Sequence, residues 1–185
     1  MRDYFERTGD VRYVSAHFVA GARARSRVTS ALAPLFSHQV ERDFRVGPIH
    51  ISATRKGLKK VCGDLDEVLR IMDLANMYNR WIDHRTWEAI RDAMSQRPAD
   101  HISPEAVTRF LSLLSQPGRL ADLLRRLHQL RVLEKIIPAM HHARCLMQFN
   151  DYHKYTVDEH SIRAVECATE FLEDARPVGH AYRDL

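Results

Sequence analysis

The stretch "YHKYTVDEHSIRAVECATEF", residues 152 to 171, sets two imidazoles, His153 and His160, on either side of a helix start. A neutral imidazole is a metal donor, so the spacing raises the question of a metal site. Thr156 followed three residues later by Glu159 is a capping box, worth about 1 kcal/mol, and predicts a helix over about 156 to 174. His160 then lies one residue past the box, sharing a helical face with Ala164, Cys167 and Phe171, which points it inward. The positive end of the helix favours the neutral, ligating imidazole, whereas Asp158 and Glu159 favour the protonated one. Spacing alone leaves two readings open: a histidine satisfied within the core, or a metal ligand.

Other chemistry-bearing residues have plainer readings. In "GDLDE" (63 to 67) two carboxylates two residues apart could share Mg²⁺ in nucleotidyl transfer, but Asp64 is placed to cap the helix that it opens, and no Gly-Ser loop precedes it. His141 and His142 project to different sides of a helix and lack a Glu at zincin spacing. Cys62, Cys145 and Cys167 are odd in number and form no C-x-x-C pair, so they read as reduced, buried thiols rather than a disulfide framework or zinc knuckle. Phosphate-cradling glycine loops and a hydrolase nucleophile elbow are absent from the sequence.

Amphipathic helices must position these residues. The 185-residue chain is 45% hydrophobic and 28% charged, with a formal net charge of +4, the composition of a globular protein. No apolar run reaches the roughly 18 residues of a membrane span, and "MRDYFERTGDVRY" has no signal-peptide pattern. A cytoplasmic address is therefore expected. Apolar residues recur at helical spacing over 3 to 35, over "DLDEVLRIMDLANMYN" (64 to 79), over "DHRTWEAIRDAM" (83 to 94), after the Ser103-Pro104-Glu105 cap, and over "RLADLLRRLHQLRVLEKII" (119 to 137), which Pro138 ends or kinks. The only strand signal is "FRVGPIHIS" (44 to 52), as a short hairpin or extended pair. The predicted fold is mainly α: an irregular helical bundle with one short extended segment near 44 to 52. The basic runs "ARARSR" (22 to 27) and "RKGLKK" (55 to 60) read as solvated faces, because no aromatic residues interleave with them for nucleic-acid stacking.

"LHQLRVLEKIIPAM" followed by "MQFNDYHKYTVDEHSIRAVE" resembles the bifunctional protein-PII uridylyltransferase and uridylyl-removing family, where its central helical region meets its HD-type metal-dependent phosphohydrolase domain. The run is carried by His153, Tyr155, Thr156, Val157, Asp158, Glu159, His160 and Ser161. "FLSLLSQPGRLADLLRRLHQLRVL" and "FRVGPIHI" are also similar to the family. The resemblance implies residues 1 to 148 as the central helical region and 149 to 185 as the first helix of a truncated HD domain. It implies His160 as the first metal ligand, with His153, Thr156, Asp158 and Glu159 as motif and supporting residues, and a divalent metal, Mg or Mn, in the parent enzyme.

None of the eleven histidines is followed by Asp, so the His-Asp pair of an HD site is missing, as are the Gly-Ser loop and acidic pair of the nucleotidyltransferase site. One imidazole cannot hold Mg²⁺ or Mn²⁺, which take several oxygen ligands. The chain is thus expected to be a helical connector, inactive alone with no complete catalytic site or cofactor site. Its partners would be the rest of the parent polypeptide and, through the parent, PII. The alternative is a non-enzymatic basic helical module binding nucleic acid or an acidic protein. If the chain is such a fragment, the last helix should leave an apolar surface around His160 and Phe171.

Overall fold

In the computed structural model the residues described are 37–98, 102–115, 119–147 and 155–173, with isolated positions 11, 15 and 19. The helix read over 3 to 35 otherwise lies outside the described residues, as do the "ARARSR" run and His153.

Phe44–Val46 (β2) alternates buried, exposed, buried, as a half-buried strand does, and pairs antiparallel with His50–Ala53 (β3) across the Gly47-Pro48 turn. Two strands that were not foreseen extend this pair. His38–Val40 (β1) adds antiparallel to β2, and Trp81–Ile82 (β4) adds parallel to β3, giving a four-stranded sheet in the order β1-β2-β3-β4. A parallel partner needs a crossover, and two helices supply it: Arg55–Gly63 (α1) and Leu65–Met77 (α2). Each has a side-chain cap. Thr54 accepts from the Gly57 N–H, and Asp64 accepts from the Asp66 N–H. The other acid of "GDLDE", Asp66, receives Arg109 Nε at 2.9 Å, so the pair is used structurally, as the capping reading expected.

His84–Gln96 (α3) follows, capped by Asp83, and Pro104–Leu114 (α4) is capped by Ser103 with Pro at its first position. Phe44, Ile51 and Ile82 of the sheet, Leu69 and Met72 of α2, and Ile90 and Met94 of α3 share one core with Phe110 and Leu113. α4 buries one face and leaves apolar residues on the other. Ala106, Phe110 and Leu113 are buried, while Val107 and Leu111 are exposed.

The long helix expected over 119 to 137 is broken. Leu120–Gln129 (α5) ends where Arg131 takes a left-handed φ of 64°, with the Val132 N–H returned to Leu127 O at 2.9 Å. Leu133–Ile136 (α6) and Ala139–Ala143 (α7) then turn the chain in short steps. The stop comes seven residues before Pro138, from a backbone turn that buries Leu130 and Val132 completely. Val157–Glu173 (α8) is the last helix and packs on α5 and α7. Its start, immediately after Thr156, agrees with the capping signal. Among the described residues no helix is long and apolar enough to cross a membrane.

Candidate functional site

The side chains around the start of α8 form the most connected polar cluster among the described residues. Asp158, in the first turn, is 4% exposed. Its Oδ2 receives the Cys145 N–H at 2.9 Å and lies 2.9 Å from His128 Nε2, while its Oδ1 accepts the Glu159 N–H at 2.9 Å. Burial acts to raise the Asp158 pKa. Hydrogen bonds from His128, the Thr156 hydroxyl and the Cys145 N–H outweigh burial and hold the carboxyl well below the usual carboxylate range.

The other ring nitrogen of His128, Nδ1, faces Arg144 Nη2 at 3.3 Å. A guanidinium can only donate, so Nδ1 accepts and the ring proton resides on Nε2, aimed at Asp158. Arg144 also donates to the His128 carbonyl and, through Nε, to Glu134 Oε2 at 2.5 Å. Glu134 and Arg144 are 4% and 6% exposed, a degree of burial that two charges tolerate only when paired and hydrogen-bonded. Cys145 holds a φ of 52°, a conformation that disfavours side chains other than glycine, and in it the N–H reaches Asp158.

A second contact runs parallel to the first. Arg125, one turn before His128 on α5, grips Glu166 with both terminal nitrogens, at 3.0 and 2.6 Å, and its Nε lies 3.5 Å from Glu159 Oε1. Backbone pairing adds a third, the Val157 N–H donating to Leu146 O at 2.8 Å. Ile162, 2% exposed, is the apolar plug of the same seam.

His160 lies elsewhere. The face that packs carries Asp158, Ile162, Val165, Glu166 and Thr169, and His160, Ala164 and Cys167 are exposed. The inward-looking imidazole expected from spacing is therefore corrected. Val157 to Ile162 turns the buried stripe about half a revolution from the one chosen, because the charged Asp158 and Glu166, not the small apolar residues, face α5. Phe171, at 36% exposed, belongs with the open face, as expected for an apolar surface near His160. Cys167 is likewise exposed rather than buried, while Cys62 and Cys145 are half-buried, and none of the three is in a disulfide.

Of the sequence-predicted site residues, Thr156, Asp158 and Glu159 come together at the helix start, and His160 stands beside them facing out. His128, Arg125, Arg144 and Glu134 were missed. Their one sequence signal was that Arg125 and His128 sit three apart on α5, a spacing that places them on one face, but nothing local names their partners. Among the described residues no three His, Cys, Asp or Glu side chains gather where they could hold a metal ion. His160 offers one donor where a divalent cation takes several, so these residues do not by themselves fit a metal centre. His141 and His142 stack edge to face, with ring centroids 5.7 Å apart, and form no ligand set.

Comparison with known proteins gives two informative matches. The chain is 44% identical over 77 residues to a bifunctional uridylyltransferase/uridylyl-removing enzyme of Pasteurella multocida, a match covering 42% of this chain and 9% of that protein. It is 41% identical over 70 residues to the protein of the same name from Aliivibrio fischeri, covering 38% of this chain and 8% of the relative. The aligned stretch is thus under a tenth of the length of either relative. No family model matches the chain, and no solved structure matches it.

Proposed function

We propose that the chain is a segment of a bifunctional uridylyltransferase/uridylyl-removing enzyme acting on the regulatory protein PII. In this reading residues 1 to 148 are the helical connector and residues 149 to 185 begin an HD-type hydrolase domain. The observation that carries it is the geometry at the start of α8: a helix whose first turn is clamped to α5 and to the Cys145 turn, yet which presents His160 outward. An exposed imidazole on a rigid first turn is what a first metal ligand requires when its partners come from chain further along. Identity above 40% to two enzymes of this name supports the same reading.

His160 would contribute one imidazole to a site for a divalent metal, Mg²⁺ or Mn²⁺, whose remaining ligands would have to come from other parts of the parent protein. Thr156, Asp158 and Glu159 face the scaffold and secure the turn from which His160 projects. The experiment is to compare the 185-residue chain with the longer protein encoded around it, using uridylylated PII for removal and unmodified PII with UTP for transfer. Neither activity is expected in the chain alone. In the longer protein, His160→Ala should abolish removal and spare transfer. Metal-dependent removal by the chain alone would sink the proposal.

A further inference from the structure

We propose that His128, a residue of the helical region, is a positioning residue for the hydrolytic site: through Asp158 it fixes the first turn of α8 and with it the direction of His160. This rests on the reading of the preceding subsection.

The link can be followed bond by bond. Glu134 on α6 holds Arg144 at 2.5 Å, and the Arg144 guanidinium, 3.3 Å from His128 Nδ1, determines which ring nitrogen carries the proton. The proton on Nε2 is thereby directed at Asp158 Oδ2, 2.9 Å away. Asp158 also accepts the Thr156 hydroxyl. The Thr156 carbonyl in turn accepts the His160 N–H at 2.8 Å, which is the first hydrogen bond of the turn that carries the imidazole. Asp158 also accepts the Cys145 N–H and the Glu159 N–H, which fixes its carboxylate from two further directions and leaves the turn little freedom to rotate.

The choice of residue type follows from the same geometry. A lysine or arginine at 128 would set a second cation against Arg144, whereas a neutral imidazole accepts from Arg144 on one side and donates to Asp158 on the other. His160 itself touches neither His128 nor Asp158 in any of these bonds, so His128 acts at a distance, through the helix start. A supporting group of this kind that orients a first ligand costs about 10- to 100-fold in activity when removed.

The test has two arms. In the longer enzyme, His128→Ala should lower kcat for uridylyl removal by about 10- to 100-fold with KM nearly unchanged, and His128→Gln, which keeps an acceptor and a donor, should recover most of the loss. In the 185-residue chain, amide hydrogen exchange at His160 should accelerate at least about tenfold in His128→Ala while α4 amides keep their protection. If His128→Ala fails to fold, Asp158→Asn takes its place in both arms, since it keeps the side-chain shape. A folded variant with unchanged exchange at His160 overturns the inference. Absence of uridylyl removal from the unsubstituted longer enzyme overturns the functional reading instead, and the exchange arm still decides the role of His128.

Discussion

Asp158 on α8 and His128 on α5 face each other across the seam between the two helices, Oδ2 to Nε2 at 2.9 Å, with 5% and 13% of their side chains exposed. The pair joins α5 to the first turn of α8. The joint is built from charge and directed hydrogen bonds, with Ile162 as its apolar plug.

Acid should weaken this joint first. The folded-state pKa of Asp158 lies below that of an unfolded aspartate, about 3.9. The stabilisation it provides is therefore fully present above about pH 4 and is lost as pH falls from there through the folded pKa. Urea titrations of Asp158→Asn and the unsubstituted chain should diverge at pH 7 and converge as pH is lowered through this window. Parallel curves at every pH would contradict the pairing.

His160 and His128 should respond oppositely to truncation. His160 is exposed on α8, so His160→Ala should change unfolding free energy by no more than about 0.5 kcal/mol. His128→Ala strands Asp158 in a buried position and should cost about 3 kcal/mol. Equal costs in chemical denaturation would restore the core-histidine reading of His160.

Arg125 tests whether geometry or charge holds α8. Its guanidinium meets Glu166 through two nitrogens at 3.0 and 2.6 Å. Lysine keeps the charge but loses the fork, so Arg125→Lys should destabilise by about 1 kcal/mol. In a double-mutant cycle with Glu166→Gln the coupling should fall in the range of about 0.5 to 3 kcal/mol. A coupling of zero would make the contact incidental.

Two glycines of α1 should separate cleanly. A Cβ on Gly57 would sit 2.0 Å from the Asp43 carbonyl oxygen, whereas one on Gly63 meets nothing within 4 Å. Gly57→Ala must push α1 off the β1–β2 turn and should cost at least about 1 to 3 kcal/mol. Gly63→Ala should be neutral or stabilising by up to about 1 kcal/mol. Melting temperatures of the two variants measure the contrast directly.

What could be read in the residues was local chemistry. The Ser103-Pro104 start and the Asp64 cap each depend on a side chain within three residues of the backbone group it serves, and both are present in the fold; α8 also begins where the Thr156 signal placed it. The break at Arg131 could not be read, because an arginine in a left-handed turn has no signature of its own and the leucine pattern continues past it. β1 and β4, of three and two residues, are too short to show a period. At the candidate site, Asp158 was noticed for its motif, but its partners on α5 and at Cys145 lie 30 and 13 residues away in the chain. His160 was placed on the wrong face for a related reason: small apolar neighbours suggested burial, while the stripe that packs is anchored by acids whose cations come from another helix.

The parallel pairing of β3 with β4 has a consequence for the chain as it is made. Ile51 meets Ile82 only after both intervening helices have emerged and folded back, so for about thirty residues of synthesis β3 has β2 on one side and an open edge on the other. An unpaired strand edge is a template for pairing with another chain. The alternation on β3 is incomplete, but Ile51 is fully buried once β4 arrives. A nascent chain stalled before Trp81 would thus present a sticky sheet, and one stalled beyond Asp83, whose N–H closes on Ile51 O at 2.8 Å, would not.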